Sequence, residues 1–91
     1  MPRRGGVKSI TMWTVYILES LSAKRHYVGC SNNLARRLRE HNSGSNKATL
    51  WHKPWRVIYS EEFEDQTKAY LREKQIKSYK GGNAFKKLLT K

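Results

Sequence analysis

Residues 13–42, WTVYILESLSAKRHYVGCSNNLARRLREHN, predict two paired strands followed by a helix. Residues 13–19 alternate large and β-branched side chains, which is typical of a strand. Residues 20–25 are polar and have the length of a hairpin connection. Residues 26–29 form the second predicted strand, which ends at Gly29. The stretch therefore indicates a hairpin that leads straight into a helix.

The helix predicted after the hairpin, residues 34–42, is basic and amphipathic. Residues 30–33 offer several good N-caps for it. At about 100° per residue, one face of the helix is directed to the sheet and the other to solvent. The residues expected on or beside the inner face are Leu34, Ala35, Leu38, His41 and, at its border, Arg37. The residues expected to point outward are Arg36, Arg39 and Glu40.

The middle of the chain predicts a loop and a third strand. Residues 42–53 are rich in Ser and Asn and indicate a loop, which precedes a strand at 55–60. Residues 61–65 are expected to form an acidic turn. Asp65 or Thr67 can then cap the helix that follows.

Two helices are predicted at the end of the chain. The first covers residues 66–80 and is ended by two glycines, and the second covers residues 84–89, with Asn83 as its cap. Three short strands with helices between and after them predict an α/β fold of the α+β kind. Its sheet should be small, three-stranded, antiparallel or mixed, and flanked by helices.

Length and composition limit the class of protein. The 91 residues predict one small domain at 12–91, preceded by a flexible basic arm at 1–11. The single cysteine, Cys30, excludes an internal disulfide framework and argues against a cysteine-based zinc site. No stretch resembles a membrane span or a signal peptide, so a reducing, cytoplasmic location is expected.

Charge is the strongest global signal in the sequence. The chain has 19 Lys and Arg against 7 Asp and Glu, a net charge of +12. Such a surface favours a polyanionic partner, most often nucleic acid. A basic protein without such a partner, or a ribosome-associated one, is the alternative.

Glu73 is the residue of the long helix whose position most needs an explanation. It lies on the stripe of Ala69 and Ile76 that is predicted to face the sheet, where an apolar residue is expected. A carboxylate that leans into the interior costs several kcal/mol unless it is paired or binds a metal. An ion pair with Lys77 or Arg72 is one explanation, and a metal-binding role is the other.

Four further side chains support the metal-binding explanation: Tyr16, Tyr27, Arg37 and His41. Taken singly, the tyrosines are typical packing residues and His41 is a typical helix-end residue. Together with Glu73 they are the groups needed to cut a phosphodiester. A carboxylate holds a metal, a guanidinium stabilises charge, and a phenol or imidazole orients or deprotonates water.

These motifs resemble those of the GIY-YIG nuclease domain. They are Val15-Tyr16-Ile17, Tyr27-Val28-Gly29, and the Asn-Leu-x-x-Arg-Leu-x-x-His run of residues 33–41. The resemblance extends over nearly the whole chain and is greatest to small stand-alone members, the excinuclease-C-like proteins of the UPF0213 type. Val15 takes the place of the first glycine of the family. The resemblance implies a small three-stranded antiparallel sheet flanked by helices.

The resemblance also implies a role for each matched position. Tyr16 and Tyr27 would face the scissile phosphate, with Tyr27 or a neighbour orienting or deprotonating water. Arg37 would contact the phosphate, and His41 would assist proton transfer. Glu73 would be the sole protein ligand of one Mg²⁺ or Mn²⁺, and magnesium commonly binds through few carboxylates and several waters.

Two positions match the family less closely. The DNA-repair branch has Lys directly after the second glycine, where this chain has Cys30, which is expected to be a small packing residue. Lys24, Lys47 or Lys77 could replace the missing charge. Asn83 matches a late Asn of the family, or else it caps the last helix.

The predicted nucleic-acid contacts lie outside the catalytic set. They are Arg36, Arg39, Lys47, Lys53 and Lys77. Trp51 and Trp55 flank Lys53, and each either stacks on a base or packs against the sheet. Affinity that comes from a basic surface alone predicts weak sequence specificity.

The sequence therefore predicts a Mg²⁺- or Mn²⁺-dependent endonuclease that hydrolyses DNA in repair or recombination, with branched or damaged DNA as candidate substrates. The alternative is a nucleic-acid-binding module of the same fold with little or no activity. A role with RNA or the ribosome is a third interpretation. The intact set of Tyr16, Tyr27, Arg37 and Glu73 favours the nuclease.

Overall fold

The computed structural model describes residues 12–44, 47 and 49–90. The basic arm predicted at residues 1–11 lies outside the described residues. Three strands and three α-helices follow one another in the order expected from the sequence. Their bounds are β1 Trp13–Ser20, β2 His26–Ser31, α1 Leu34–Ser43, β3 Trp55–Phe63, α2 Gln66–Ser78 and α3 Asn83–Leu89, with a 3-10 turn at Leu50–His52 between α1 and β3.

The three strands form an antiparallel sheet in the order β2-β1-β3, which confirms the predicted fold class. The central strand β1 is covered on both sides, and its residues from Val15 to Leu18 are fully buried. Val15 and Ile17 pack with side chains of α2 and α3, whereas Tyr16 and Leu18 pack with side chains of α1 and Trp55. The sheet therefore separates two small cores, and β2 is left as an edge strand.

Helix α1 begins at a side-chain cap and ends at a glycine. The side chain of Asn33 accepts a hydrogen bond from the backbone N–H of Arg36. Gly44 has a φ of +86°, a conformation that glycine adopts at low cost, and its N–H bonds to a carbonyl of the last turn. Ala35 is exposed, so its predicted inward position is wrong: the contact stripe starts at Leu34, and Ala35 lies about 100° away from it.

Strand β3 is longer than predicted. Glu61 and Glu62 belong to the strand rather than to an acidic turn, because they pair with Val15 and Thr14 across the full length of β1. Glu61 is also half-buried and accepts hydrogen bonds from Arg72. The composition of residues 61–65 indicated a turn, but pairing with the long central strand β1 extends β3 into this segment.

The end of the chain also differs in detail from the prediction. Helix α2 stops at Ser78, two residues early, and α3 begins at Asn83 with Gly82 as its N-cap residue. Asn83 is thus the first residue of the helix and not its cap, which corrects the capping prediction. Among the described residues no helix combines the length and apolarity needed to cross a bilayer.

Candidate active site

Tyr16 extends from β1 across the edge strand. It pairs directly with Gly29 of β2, and a Cβ atom at that position would lie 2.5 Å from the Tyr16 hydroxyl and 3.0 Å from the Tyr27 ring. These distances are shorter than any ordinary carbon contact. The glycine is therefore required because the two tyrosines pass over the backbone of β2. The prediction that Gly29 ends the strand is wrong, because pairing with Val15 and Thr14 continues β2 to Ser31.

A buried row of polar groups holds the Tyr16 hydroxyl in place. The hydroxyl lies 3.3 Å from His41 Nε2, and His41 Nδ1 lies 2.8 Å from the hydroxyl oxygen of Thr49. The Arg37 guanidinium lies near the Tyr16 hydroxyl and opposes the rise in the pKa of that phenol. A phenol that donates to Nε2 leaves Nδ1–H to donate to Thr49.

Protonation in this row follows from burial. Burial raises the pKa of Tyr16, and the opposing effect of Arg37 is smaller. Burial lowers the pKa of His41, and the nearby Arg37 charge lowers that pKa further. At neutral pH the phenol is thus protonated and the imidazole is neutral, which agrees with the hydrogen-bond directions above.

Tyr27 and Arg37 form the accessible side of the same cluster. The Tyr27 ring centroid lies 4.8 Å from that of His41, and the residue is only half-buried. The Arg37 side chain is 34% exposed and also donates to Glu40 at 3.0 Å. In contrast, Tyr16 and His41 are completely buried. A phosphate that approaches from solvent can therefore reach Tyr27 and Arg37 first.

Glu73 lies on the other face of the sheet, on α2. Its carboxylate forms an ion pair with Lys77 at 2.7 Å; the Glu73 side chain is 18% exposed and that of Lys77 54%. Arg72, the other partner considered from the sequence, binds Glu61 at 2.8 Å instead. The Glu73 charge still raises the pKa of Tyr16, though as the smallest of its causes, so the two side chains interact electrostatically from opposite faces.

Cys30 lies on the Glu73 side of β2. Its side chain packs at the margin of the core shared with α2 and α3, as the sequence predicted. Burial raises the pKa of its thiol first, and the Glu73 charge raises it further. The position that carries Lys in the DNA-repair branch therefore faces the Glu73 carboxylate in this chain.

The donor set around Glu73 suits one kind of metal ion. Within the described ranges no group of three or more His, Cys, Asp or Glu residues could hold a metal. A partly exposed single carboxylate fits Mg²⁺ or Mn²⁺, which bind through one or two carboxylates, substrate phosphates and water. Binding requires the Lys77 ammonium to move, and its exposure and flexible stem allow that.

The structure groups some predicted site residues and separates others. Tyr16, Tyr27, Arg37 and His41 lie together on β1, β2 and α1, whereas Glu73 and Lys77 lie on α2. Tyr27 and Lys77 line one cleft beside β2, so the two groups meet at this edge of the sheet. The exposed residues outside the cluster are Arg36, Arg39, Lys47, Lys53 and Asn83. Arg36 is near Glu40 at 3.7 Å.

Sequence reasoning missed Thr49. The residue is fully buried, its hydroxyl contacts His41, and its carbonyl accepts a hydrogen bond from Trp55 Nε1 at 2.9 Å. It lies in a segment whose composition indicates only a polar loop, and no local pattern marks it. Trp55 is 4% exposed, so its packing interpretation is confirmed, whereas Trp51 is exposed.

The fold is that of a nuclease family. The family model for the GIY-YIG catalytic domain matches residues 12–86. The chain belongs to the GIY-YIG family, and the resemblance noted in its motifs is confirmed.

Relatives of the chain are UPF0213 proteins. One from Haloquadratum walsbyi is 39% identical over 66 residues, which are 71% of this chain and 73% of the relative. One from Desulfotalea psychrophila is 37% identical over 67 residues, 71% of this chain and 60% of the relative. The solution NMR structure of a UPF0213 protein from Bacillus halodurans superposes with a TM-score of 0.50 at 28% identity, covering 87% of this chain and 82% of that one.

Proposed function

We propose that the protein is a Mg²⁺- or Mn²⁺-dependent endonuclease that hydrolyses phosphodiester bonds in DNA. The observation that supports this most is the cluster of Tyr16, Tyr27, Arg37 and His41, assembled across Gly29 within a GIY-YIG domain. A purely structural role would not need two phenols, an imidazole and a guanidinium to converge beside an edge strand.

The exposure of each side chain indicates whether it contacts the substrate or positions another residue. Arg37, which keeps its charge at any working pH, binds and neutralises the phosphate. Tyr27 orients the attacking water with its hydroxyl. Tyr16 and His41 are positioning residues in this conformation, because they are buried, contact each other, and both pack against the Tyr27 ring. Direct contact between Tyr16 and the phosphate, which the family resemblance implies, stays a prediction.

Glu73 is the proposed ligand for the metal. When bound, Mg²⁺ or Mn²⁺ supplies positive charge to the phosphate oxygens and lowers the pKa of water. Lys77 neutralises Glu73 in the free protein and is released to contact phosphate when the carboxylate is engaged. Outward Arg36, Arg39, Lys47 and Lys53 supply the remaining, sequence-independent affinity.

Weak sequence specificity favours recognition of DNA shape. We therefore place the activity on branched or damaged DNA, in repair or recombination. The cytoplasm is the proposed location, because the chain carries one free thiol, Cys30, which suits a reducing compartment.

One observation supports a second function. Glu73 is already paired with Lys77, so a metal must compete with an ion pair. If that competition fails, the protein is a nucleic-acid-binding module of the same fold with little or no activity. The two functions predict the same DNA binding and opposite results in a cleavage assay.

The test is a nicking assay with Mg²⁺ or Mn²⁺ over linear, flapped and branched DNA, run with wild type and Glu73→Gln. The amide keeps the shape and removes the ligand charge, so we expect cleavage to fall to background while DNA binding is retained or improved. Melting should shift little, since a half-exposed i,i+4 ion pair contributes about 0.3–0.5 kcal/mol.

The matched control is Glu62→Gln, the same charge change at an exposed carboxylate of β3, which should cleave like wild type. Wild-type cleavage by Glu73→Gln would rule out the metal-ligand role. A wild-type protein that binds DNA but cleaves none of the panel would establish the binding module instead.

A further inference from the structure

Trp51 is the most exposed large apolar side chain among residues 12–44, 47 and 49–90, with 83% of its surface open to solvent. One exposed apolar side chain is not by itself a sign of function. Trp51 differs from the ordinary case in how its backbone is held and in what surrounds it. Both features lie next to the cluster proposed as the active site.

The backbone on both sides of Trp51 is fastened to the protein. Thr49, two residues before it, is fully buried and contacts His41 at 2.8 Å. The carbonyl of His52, directly after it, accepts a hydrogen bond from the Ser20 hydroxyl at 2.5 Å. The 3-10 turn Leu50–His52 therefore presents the indole outward from a fixed point, which lowers the entropy lost when a partner binds it.

The surroundings of Trp51 are aromatic and basic. A row of rings leads to it from the site: Tyr27 and Trp55 lie 6.4 Å apart edge to face, and Trp55 and His52 also lie 6.4 Å apart. Lys47 and Lys53, on the two sides of the turn in sequence, are both exposed. An aromatic face next to ammonium groups is the arrangement by which proteins hold single-stranded nucleic acid.

The spacing places Trp51 close to the proposed active site. Two residues span at most about 7 Å of extended chain, so the Trp51 backbone lies within about that distance of Thr49. Thr49 in turn contacts His41 of the cluster. Trp51 therefore projects from a segment that is anchored on the proposed active site.

We propose that Trp51 stacks on an unpaired base of DNA, while Lys47 and Lys53 contact the adjacent phosphates. Bases inside a duplex already have both faces covered by their neighbours, so a stacking side chain selects bases that are unpaired. This deepens the proposed function and rests on it: the substrate class is DNA with a single-stranded segment, such as a flap or a junction.

The test measures binding without metal, so that no cleavage occurs. Wild type, Trp51→Ala and Trp51→Phe are titrated with a short oligothymidylate and with a duplex of equal length, by tryptophan fluorescence and by anisotropy of a labelled strand. We expect Trp51→Ala to bind the single strand about 5- to 150-fold more weakly, the range given by one lost base stack. Duplex affinity should hardly change, and Trp51→Phe should keep part of the single-strand affinity.

The fluorescence readout isolates Trp51. The other two tryptophans, Trp13 and Trp55, remain in every variant, so quenching by the single strand should vanish with Trp51 alone. Leu71→Ala, which truncates another exposed apolar residue, is the matched control and should bind both DNAs like wild type. Thermal melting of Trp51→Ala should match wild type, because the truncated side chain packs little.

Equal single-strand affinity of wild type and Trp51→Ala overturns the proposal, whatever the cleavage assay shows. Tighter binding of wild type to an RNA strand of the same length also overturns it, because the partner of Trp51 would then be RNA. Self-association of wild type that disappears in Trp51→Ala overturns it as well, because Trp51 would then contact a second copy of the protein. Failure of the proposed nuclease is recognised separately, as DNA binding in the nicking assay with no cleavage that depends on Glu73.

Discussion

At the scale of single residues, the two tyrosines of the site differ in burial and in hydrogen bonding. Tyr27 is half-exposed beside Arg37, whereas Tyr16 is buried and bonds to His41 Nε2. Their hydroxyls are therefore expected to have different roles, although the two tyrosines occupy equivalent positions in the two sequence motifs. Replacing each by phenylalanine removes the hydroxyl and keeps the ring, so the two variants separate chemistry from packing.

Tyr27→Phe should lower the cleavage rate by about 10²-fold or more and leave the melting temperature nearly unchanged. Tyr16→Phe should lower both, because a buried His41 nitrogen loses its partner at a cost of about 1–3 kcal/mol in unfolding free energy. The measurements are single-turnover cleavage and chemical denaturation of each variant. Full activity in Tyr27→Phe would show that the Tyr27 hydroxyl has no role in cleavage and that the residue only packs.

At the scale of elements, the pairing of β1 with the edge strand β2 positions the tyrosine cluster. The register places Tyr16 opposite Gly29, and it places Cys30, the next residue of β2, on the opposite face with α2. A shift of one residue would exchange these faces and bring a side chain under the Tyr16 ring. The glycine in the second motif is therefore a packing requirement of the strand pair.

Gly29→Ala tests this requirement. The added methyl would lie 2.5 Å from the Tyr16 hydroxyl, so the ring or the strand must move, at a cost of about 1–3 kcal/mol in unfolding free energy. Cleavage should fall with it, since the displaced hydroxyl contacts His41, whose ring packs against Tyr27. Cys30→Ala, one residue along the same strand, is the control and should change both properties little. Wild-type stability in Gly29→Ala would show that the strand pair accommodates the methyl without strain.

At the scale of the whole molecule, charge is distributed unevenly around the sheet. Four of the seven acids are held in ion pairs with basic side chains: Glu19, Glu40, Glu61 and Glu73. The net charge of +12 therefore comes from basic residues spread over the rest of the surface. Helix α1 places exposed Arg36 and Arg39 on the same side of the sheet as the tyrosine cluster.

Neutralising Arg36 and Arg39 together, as Arg36→Gln with Arg39→Gln, should weaken DNA binding by a similar factor for every sequence. The slope of log K against log salt should become shallower by about 2, since each lost phosphate contact removes about 0.9. The control is Lys86→Gln with Lys87→Gln, an equal charge change on α3, across the sheet from α1. An equal loss in both double variants would show that α1 has no special part, and salt-independent binding would contradict the polyanion partner.

The sequence by itself determined the elements and their order, and it singled out the candidate site residues. Strand alternation and helical periodicity are local, so they are readable without the fold, and the motif spacing around Tyr16, Tyr27 and Arg37 identified the family. The same periodicity placed Glu73 beside Ala69 and Ile76, and the structure finds it partly buried there. The choice between an ion pair and a metal site was left open, because periodicity does not show which partner a carboxylate meets.

Tertiary structure alone decided the ion-pair partners. Glu73 pairs with Lys77, and Arg72 pairs with Glu61. The second pair forms because pairing with β1 extends β3 through the expected turn and brings Glu61 under α2. It also brought Thr49 from a featureless loop onto His41 and left Trp51 exposed. Each of these depends on contacts between segments distant in sequence, and the free energy of such contacts is not encoded in any local pattern.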